Sequence, residues 1–502
     1  MARVVFIIAF FVFLGMSSAF AQNVIYTNYH KEDDRNTPFE ILGKIGPNYL
    51  IYKNVHSWRH VIQVFDVNME ELSNNRLDFI SEKTSKVDFI TYPDRFNMVY
   101  QYQKNNILYC NAVVIDAAGK KIAEPVTLDT TRINFIGNTN IYYTTYSEDK
   151  SKILVYKVLF KYSRITVVTK LYDNNFKLLD STRRHLTFNE RKEIYTDYQV
   201  DNDGNIIYAK ETNTGFRENI DLLEVVTHAP GGGFNTRIIP LEKNYIDEFK
   251  IKIDNLNKTY LFNSFYYHDR IGSVQGLFAG MADWKFNTIK TVFNPFPDSL
   301  RSTITKGEYR FAFNDFSLNN IFVKRDGSYI IAAEDNTTIS RANNNPWNRW
   351  DNFYNYGNTP GNYYYGNSNY NNPYYRDNRF NNSVRYIYKN ILIASIDTSL
   401  KIRWSNIILK DQSDEDKDSF LSYGTLNTGN EIHFLFLNKE RNSQIISNQS
   451  ISSAGLITRY PTLKSREAGY DFLPRLSKQV GPRQIIMPSI YRGYLVFTKI
   501  EF

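Results

Sequence analysis

The sequence predicts an all-β protein, a β-propeller of seven or eight four-stranded blades. Three observations predict it: short apolar runs rich in aromatic residues recur along the chain, turn signals recur between them, and no long segment has the apolar period of a helix. Tyrosine and phenylalanine are abundant, with 38 and 35 copies in 502 residues. Aromatic rings pack well on pleated sheets, so this composition favours strands.

An Asp-containing turn followed by a second short strand is the repeated unit of the sequence. It is clearest at Asp397, where the run from Arg385 to Ile396 meets Asp-Thr-Ser-Leu-Lys and a new strand begins near Ile402. The same pattern recurs at Asp66, Asp116 and Asp173. We interpret these turns as the outer hairpins of a repeated β unit.

A tight turn before the second strand of each unit supplies the period. Such turns are predicted at Pro47-Asn48, Pro93-Asp94, Gly137-Asn138, Asp203-Gly204, Asn257-Lys258, Asp326-Gly327, Thr428-Gly429 and Arg492-Gly493. Their spacing is mostly about 45 to 70 residues, which suits propeller blades with long loops. These markers predict eight blades, or seven if either Asn257-Lys258 or Arg492-Gly493 is misassigned.

The two ends of the chain are predicted to close the ring together. The C-terminal runs from Gln484 and from Tyr494 supply the inner strands of one unit, and a strand near Val24 completes it. Closure removes exposed strand edges, which invite aggregation.

The alternative fold is an outer-membrane β-barrel, which the aromatic C-terminal strand ending in Phe502 favours. Strands of such a barrel run about ten residues with a lipid-facing apolar row. Here charges interrupt the alternate rows, as from Lys157 to Lys161, and the strands come in groups of four with short members. The pattern therefore favours the propeller.

Residues 1–21 have the features of a signal peptide. A short positive start at Arg3 precedes an apolar run from Val4 to Leu14, and Ala19-Phe20-Ala21 matches a cleavage site. The mature chain, 22–502, is expected to be one propeller domain in the periplasm, with an extracellular or outer-membrane-associated location as the alternative. No other segment has an apolar run of about 18 residues, the length that a membrane-spanning helix requires.

The distribution of charge does not favour a nucleic-acid-binding function. The formal net charge is +8, and the lysines and arginines are scattered among acids. A nucleic-acid-binding protein would cluster them on one element, so no nucleic-acid partner is expected.

Cys110 is the single cysteine. It lies in an apolar run, so we expect a small buried residue and no disulfide within the chain.

A low-complexity segment at 342–382 interrupts one predicted blade. It is built from Asn, Tyr and Gly with almost no aliphatic residues, so it cannot form a core. One interpretation is a tolerated loop and the other is an interaction arm that projects from one face. Aromatic rings pair an apolar body with a polar tip, which suits binding surfaces. The candidate binding residues are Trp347, Trp350, Tyr363, Tyr364, Tyr365, Tyr374 and Tyr375.

No motif in the sequence carries a recognisable chemistry. His56 and His60 lie around a strand, where their spacing spans about 13 Å, so no metal site is expected. Pro230 to Gly233 lacks the Lys-Ser/Thr of a phosphate-binding loop, and no cofactor is expected. The acids Asp88, Asp315 and Asp471 lie at or near predicted innermost strands, and they keep glycoside cleavage open as an alternative activity.

The stretch from Asp397 to Trp404 resembles blades of exported Bacteroidota propeller proteins. It is also similar to quinone-binding propellers, whose blades end in a docking tryptophan. Trp404 has no counterpart in the other units, so no quinone site is carried over. The resemblance implies a propeller of the cell envelope.

The functional hypothesis is a non-catalytic periplasmic platform that binds a cell-envelope protein. A concrete version is an accessory or plug subunit of an outer-membrane translocation machine of the type 9 secretion kind. The alternative is a propeller that binds or cleaves glycans.

Overall fold

The computed structural model describes residues 23–133, 140–161, 163–189, 192–213, 219–270, 272–304, 309–340, 384–415, 417–440, 443–463 and 469–502. The described strands form eight separate antiparallel sheets, each with a path of four hydrogen-bonded strands. The predicted β-propeller is confirmed, and it has eight blades. The barrel alternative is wrong, because it requires all strands to pair in one closed sheet. The predicted signal peptide and the whole 342–382 segment lie outside the described residues.

Blades 1 to 4 follow one another along the chain, with their strands in sequence order. Blade 1 contains β2 (Phe39–Ile45), β3 (Asn48–Val55), β4 (Arg59–Phe65) and β5 (Glu71–Arg76). Blade 2 contains β6 (Thr84–Thr91), β7 (Arg95–Lys104), β8 (Ile107–Asp116) and β9 (Val126–Arg132). Blade 3 contains β10 (Tyr142–Tyr146), β11 (Lys152–Lys161), β12 (Arg164–Asp173) and β13 (Leu178–Thr187). Blade 4 contains β14 (Glu193–Val200), β15 (Ile206–Thr212), β16 (Leu222–His228) and β17 (Phe234–Ile239).

Blades 5 to 7 repeat this order with small additions. Blade 5 contains β18 (Tyr245–Ile246), β19 (Lys250–Asp254), β20 (Thr259–Tyr267), β21 (Gly276–Asp283) and β22 (Ile289–Pro295). Blade 6 contains β23 (Phe316–Val323), β24 (Tyr329–Ser340), β25 (Val384–Ile396), β26 (Ile402–Ile408) and β27 (Gln412–Glu415). Blade 7 contains β28 (Tyr423–Asn427), β29 (Glu431–Glu440), β30 (Ser443–Ser452) and β31 (Ile457–Leu463). A short helix α1 (Asp298–Ile304) and single 3₁₀ turns at Tyr309–Phe311 and Pro474–Leu476 complete the described elements. None of the helices in the described ranges is long and apolar enough to cross a membrane.

Blade 8 joins the two ends of the chain, as the sequence predicts. It contains β32 (Tyr470–Phe472), β33 (Lys478–Gly481), β34 (Gln484–Tyr491), β35 (Tyr494–Glu501) and, as its outermost strand, β1 (Asn23–Tyr26). Strand β1 runs antiparallel to β35, with Asn23 opposite Glu501 and Tyr26 opposite Thr498. The ring is therefore closed by backbone pairing between the N-terminal and C-terminal strands.

The core is a ring of eight hydrophobic clusters, each filling the space between two neighbouring blades. The cluster between blades 8 and 1, with Phe497 and Tyr49, completes the circle. Buried Cys110 belongs to the cluster between blades 2 and 3, as the sequence predicts. First strands of neighbouring blades contact one another, so they line the axis. The last strands form the rim, where β13 alternates between exposed and partly buried residues.

The predicted Asp turns connect the third strand of a blade to the outer strand. At Asp397, one carboxylate oxygen accepts hydrogen bonds from the backbone N–H groups of Ser399 (2.8 Å) and Lys401 (3.0 Å). Leu400 then adopts a positive φ of 67°. The same pair of bonds forms at Asp66, Asp116, Asp173 and Asp283. The interpretation of these turns as outer hairpins is confirmed.

Six of the eight predicted tight turns precede the second strand of a blade. The other two are not found at that position. Arg492-Gly493 connects β34 to β35, the second and third strands of blade 8. Gly137-Asn138 lies outside the described residues, and the turn before the second strand of blade 3 falls between Tyr146 and Lys152. The number of blades is still eight, because blades 3 and 8 each form a separate sheet.

Trp404 connects two neighbouring blades. Its indole N–H donates to the carbonyl oxygen of Ser453 in blade 7 at 3.2 Å, and its ring covers Gly455. Between other neighbouring blades, other side chains form the connecting hydrogen bonds. Asn75 of blade 1 donates to the carbonyl of Ala118 in blade 2 at 2.7 Å, and Asp180 of blade 3 lies 2.8 Å from His228 of blade 4. A tryptophan is therefore not needed in every blade.

Replacing Gly455 by alanine is expected to destabilise the protein by about 2–4 kcal/mol. Gly455 has a φ of +88°, and an added Cβ would lie 2.7 Å from the Trp404 ring. Gly429→Ala is the matched control, because Gly429 has a φ of +90° with nothing within 4 Å. Urea denaturation should show a clearly larger loss for the Gly455 variant. Equal losses would mean that the contact with Trp404 contributes nothing.

Candidate functional site

An arm extends from blade 6 and is the candidate functional site. Strands β24 and β25 have 12 and 13 residues, and they remain paired as far as Ser340 and Val384. The other strands of blade 6 stop earlier, because β23 pairs with β24 only as far as Asp335. Beyond this point β27 pairs with β25, so the arm is a three-stranded sheet in the order β24, β25, β27. It carries the predicted insertion between its two long strands.

The seven aromatic residues predicted to bind a partner lie between the two strands of the arm. These are Trp347, Trp350, Tyr363, Tyr364, Tyr365, Tyr374 and Tyr375, and all seven lie outside the described residues. Their role stays a prediction. The structure does define where the segment is attached, because Ser340 and Val384 are directly paired. Both ends of the segment therefore leave the ring at one point, on the face that carries the turns between second and third strands.

A buried ion pair lies at the base of the arm. The ammonium of Lys410 is 2.7 Å from a carboxylate oxygen of Glu334, and both side chains are 0% exposed. Burial holds the pKa of Lys410 below its ordinary value, although the charge of Glu334 opposes this. Ser422, which precedes blade 7, donates its hydroxyl hydrogen to Glu334 at 2.5 Å. Gln412 accepts a hydrogen bond from Lys410 (2.9 Å) and donates one to the carbonyl of Leu437 in blade 7 (2.9 Å). The pair thus fastens the arm to its own blade and to the next one.

A second polar contact connects the arm to blade 8. The hydroxyl of Tyr388 on β25 donates to Asp418 at 3.2 Å, and the guanidinium of Arg475 donates to the same carboxylate oxygen at 2.7 Å. The Asp418 side chain is only 5% exposed. Burial disfavours its charged form, but the charge and hydrogen bond of Arg475 hold the pKa of Asp418 below its ordinary value. Three consecutive blades therefore hold the arm in one orientation.

A bulge at Asp335 separates the arm from its blade. The pairing of β24 with β25 shifts register between Glu334 and Asn336. Such a bulge bends a strand and changes the direction of the residues beyond it. Burial raises the pKa of Asp335 to about 6, and the negative charge of Asp315 adds to the effect, while Lys389 and Lys410 oppose it.

Replacing Asp335 by asparagine is expected to change how stability depends on pH. An unfolded Asp has a pKa of about 3.9, so between about pH 4 and pH 6 the folded chain binds a proton more readily than the unfolded chain. The stabilisation from Asp335 is complete below the unfolded pKa and is lost as the pH rises through about 6. Relative to wild type, the Tm of Asp335→Asn should therefore rise between pH 4 and pH 7. Parallel curves for the two proteins would contradict this account.

The three acids considered for glycoside cleavage lie on three different blades. Asp88 is on β6 of blade 2, where Lys86 is its ion-pair partner at 3.3 Å. Asp315 is exposed immediately before β23 of blade 6, and Asp471 is exposed on β32 of blade 8. Blades 2 and 6 lie on opposite sides of an eight-bladed ring. Glycoside cleavage by these acids stays a prediction.

The histidines considered as metal ligands have other roles. His56 is in the turn before β4, with a positive φ of 54°. His60 is buried, and its Nδ1 lies 2.5 Å from the hydroxyl of Tyr52. Burial lowers the pKa of His60 to about 4, so its ring is neutral at physiological pH. Within the described ranges, no three His, Cys, Asp or Glu side chains are arranged to hold a metal ion.

The chain resembles known proteins only weakly. No protein-family model and no curated protein matches the chain. Among solved structures, the chain is similar to the WD40 domain of SCAP from fission yeast, with a TM-score of 0.41 and 10% identity over 96% of this chain and 98% of that one. It is also similar to prolyl oligopeptidase B from Galerina marginata, with a TM-score of 0.41 and 8% identity over 92% of this chain and 56% of that one. The polysaccharide lyase Uly1 has a TM-score of 0.36 and 9% identity over 82% of this chain and 89% of that one.

These similarities are too weak to indicate a function. The assignment of the propeller depends on the eight sheets and on their closure, both of which are independent of the comparisons.

Proposed function

We propose that this chain is a non-catalytic β-propeller of the periplasm that binds a cell-envelope protein through the arm of blade 6. The observation that carries the proposal is the arm itself. It is a three-stranded sheet that continues past its blade, and buried polar contacts hold it to blades 7 and 8. A loop that only connects two strands does not need such buried contacts to neighbouring blades. A rigid arm presents its surface at little entropic cost to binding, which favours a recognition role.

The envelope location is supported by the signal-peptide features of residues 1–21. The finer version of the proposal is an accessory or plug subunit of an outer-membrane translocation machine of the type 9 secretion kind. Its support is the predicted export and the resemblance of the Asp397–Trp404 stretch to exported Bacteroidota propellers. Fold-level analogy of this kind is weaker than the geometry of the arm.

Removal of the arm tests the proposal. Asn336 and Tyr388 are directly paired, so a two-residue Asn-Gly turn can replace residues 337–387 and keep the hairpin closed. The contact between Tyr388 and Asp418 stays in place, and circular dichroism should show an intact propeller. Tagged wild-type protein should recover a defined protein from detergent-solubilised envelope, and the shortened protein should not. Equal recovery by both, or recovery of this chain alone, would refute the proposal.

A further inference from the structure

The arm has two edges of different chemical character. One edge is β27, where Asp414 and Glu415 place negative charge on the outermost strand. The other edge is the end of β24, Asn336–Thr337–Thr338–Ile339–Ser340, which has no charge, no proline and no glycine. Ile339 is 51% exposed there. Charges and prolines are the usual means by which proteins prevent an exposed edge from pairing with another strand.

The neutral edge differs from the outermost strands at the rim of the eight blades. Seven of those strands carry a charge, a proline or both, and the eighth, β1, has only four residues. Among the outer edges of the described sheets, only the four-residue β1 and the part of the arm between Asn336 and Ser340 carry neither a charge nor a proline. Its far side has one described backbone contact, at its base, where the N–H of Asn336 donates to the carbonyl of Asp315 at 2.9 Å.

The composition of the edge fits strand addition. Threonine and isoleucine are β-branched, and such side chains favour the extended conformation. Five residues in a strand span about 17 Å, enough for several backbone hydrogen bonds to a partner segment. The buried pair Lys410–Glu334 fixes the base of the strand, so the edge is already extended before a partner arrives.

We propose that residues 336–340 bind an extended, uncharged segment of a partner protein, which adds to the arm as a fourth β-strand. The inference depends on the proposed function and specifies its mode of binding. Backbone hydrogen bonds supply the affinity, and the side chain opposite Ile339 supplies specificity, as in other strand-addition complexes. A β-branched apolar residue at that position fits Ile339, whereas a lysine or an aspartate would lose water without gaining an ionic partner.

A defined peptide tests the mode of binding without knowledge of the partner. The probe is a capped, fluorescently labelled hexapeptide of alternating threonine and valine or isoleucine, compared with the same peptide N-methylated at every backbone amide. Fluorescence anisotropy with the full-length protein should show saturable binding of the unmethylated peptide. N-methylation removes the backbone donors, so affinity should fall at least about tenfold. No saturable binding of the unmethylated peptide by about 1 mM, or equal binding of both peptides, would overturn the proposal.

Two matched variants locate the binding to the edge. Ile339→Lys places a charge on the neutral edge and should reduce peptide binding at least about tenfold. Ile238→Lys makes the same change at a 60% exposed isoleucine on β17 at the rim and should leave binding unchanged. Equal binding by the Ile339 variant and wild type would overturn the proposal.

The same variant separates this proposal from the proposed function. Envelope capture that is lost on removal of the arm but survives Ile339→Lys would keep the binding function and reject strand addition. Capture that survives both changes would reject the binding function of the arm itself.

Discussion

Replacing Lys410 by methionine is expected to lower the free energy of unfolding by about 3–5 kcal/mol. The substitution removes the only described ammonium in contact with Glu334, whose side chain is 0% exposed. A carboxylate at that depth must then lose its charge or remain buried without a counter-ion, and both outcomes destabilise the folded state. Methionine nearly preserves the volume of lysine, so the loss reports on charge rather than on packing.

Urea denaturation measures this effect, and an exposed pair provides the control. Lys121 is 2.5 Å from Glu124, with side chains 40% and 81% exposed. Lys121→Met should therefore change stability by less than about 1 kcal/mol. The double variant Lys410→Met with Glu334→Gln should recover part of the loss, because the remaining amide carries no charge. A loss below about 1 kcal/mol for Lys410→Met would mean that the pair does not fix the base of the arm.

Deletion of residues 23–26 is expected to destabilise the propeller by about 3–5 kcal/mol and to promote aggregation. The deletion removes the backbone pairing of β1 with β35 and the packing of Val24 and Tyr26 on the cluster between blades 7 and 8. It also turns β35 into an exposed edge. Thermal denaturation and light scattering measure the two effects.

Rescue in trans is the control for the deletion. A synthetic peptide with the sequence of residues 23–29 should bind the shortened protein and restore much of the lost thermal stability. A scrambled peptide should have no effect. Unchanged stability after the deletion would contradict closure of the ring by β1.

Local signals explain why much of the fold could be predicted. The hydrogen bonds of the Asp397 turn join residues no more than four positions apart, so a short sequence pattern is enough to predict the turn. Closure by the N-terminal strand could be predicted because the C-terminal unit lacked one strand. The turn at Arg492-Gly493 was misassigned because a turn signal does not reveal which two strands it connects. Helix α1 was missed because it has only seven residues.

The contacts that hold the arm could not be predicted from sequence. Glu334 follows an apolar run, and an acid at such a position indicates that a basic partner is buried beside it. The identity of that partner, Lys410, depends on how β24, β25 and the segment after β26 come together in space. The same holds for Arg475, which reaches Asp418 only because blades 6 and 8 flank blade 7. The insertion itself was recognised from composition, because a segment so poor in aliphatic residues cannot build a core.

Site-specific photocrosslinking tests the central claim most directly. A benzophenone amino acid at Ile339, on the arm, is compared with the same amino acid at Ile238, on the rim, because the two isoleucines are 51% and 60% exposed. After irradiation of intact cells, we expect one discrete adduct with an envelope protein from position 339 and none from position 238. Adducts of equal yield from both positions, or an adduct from position 238 alone, would contradict a binding role for the arm.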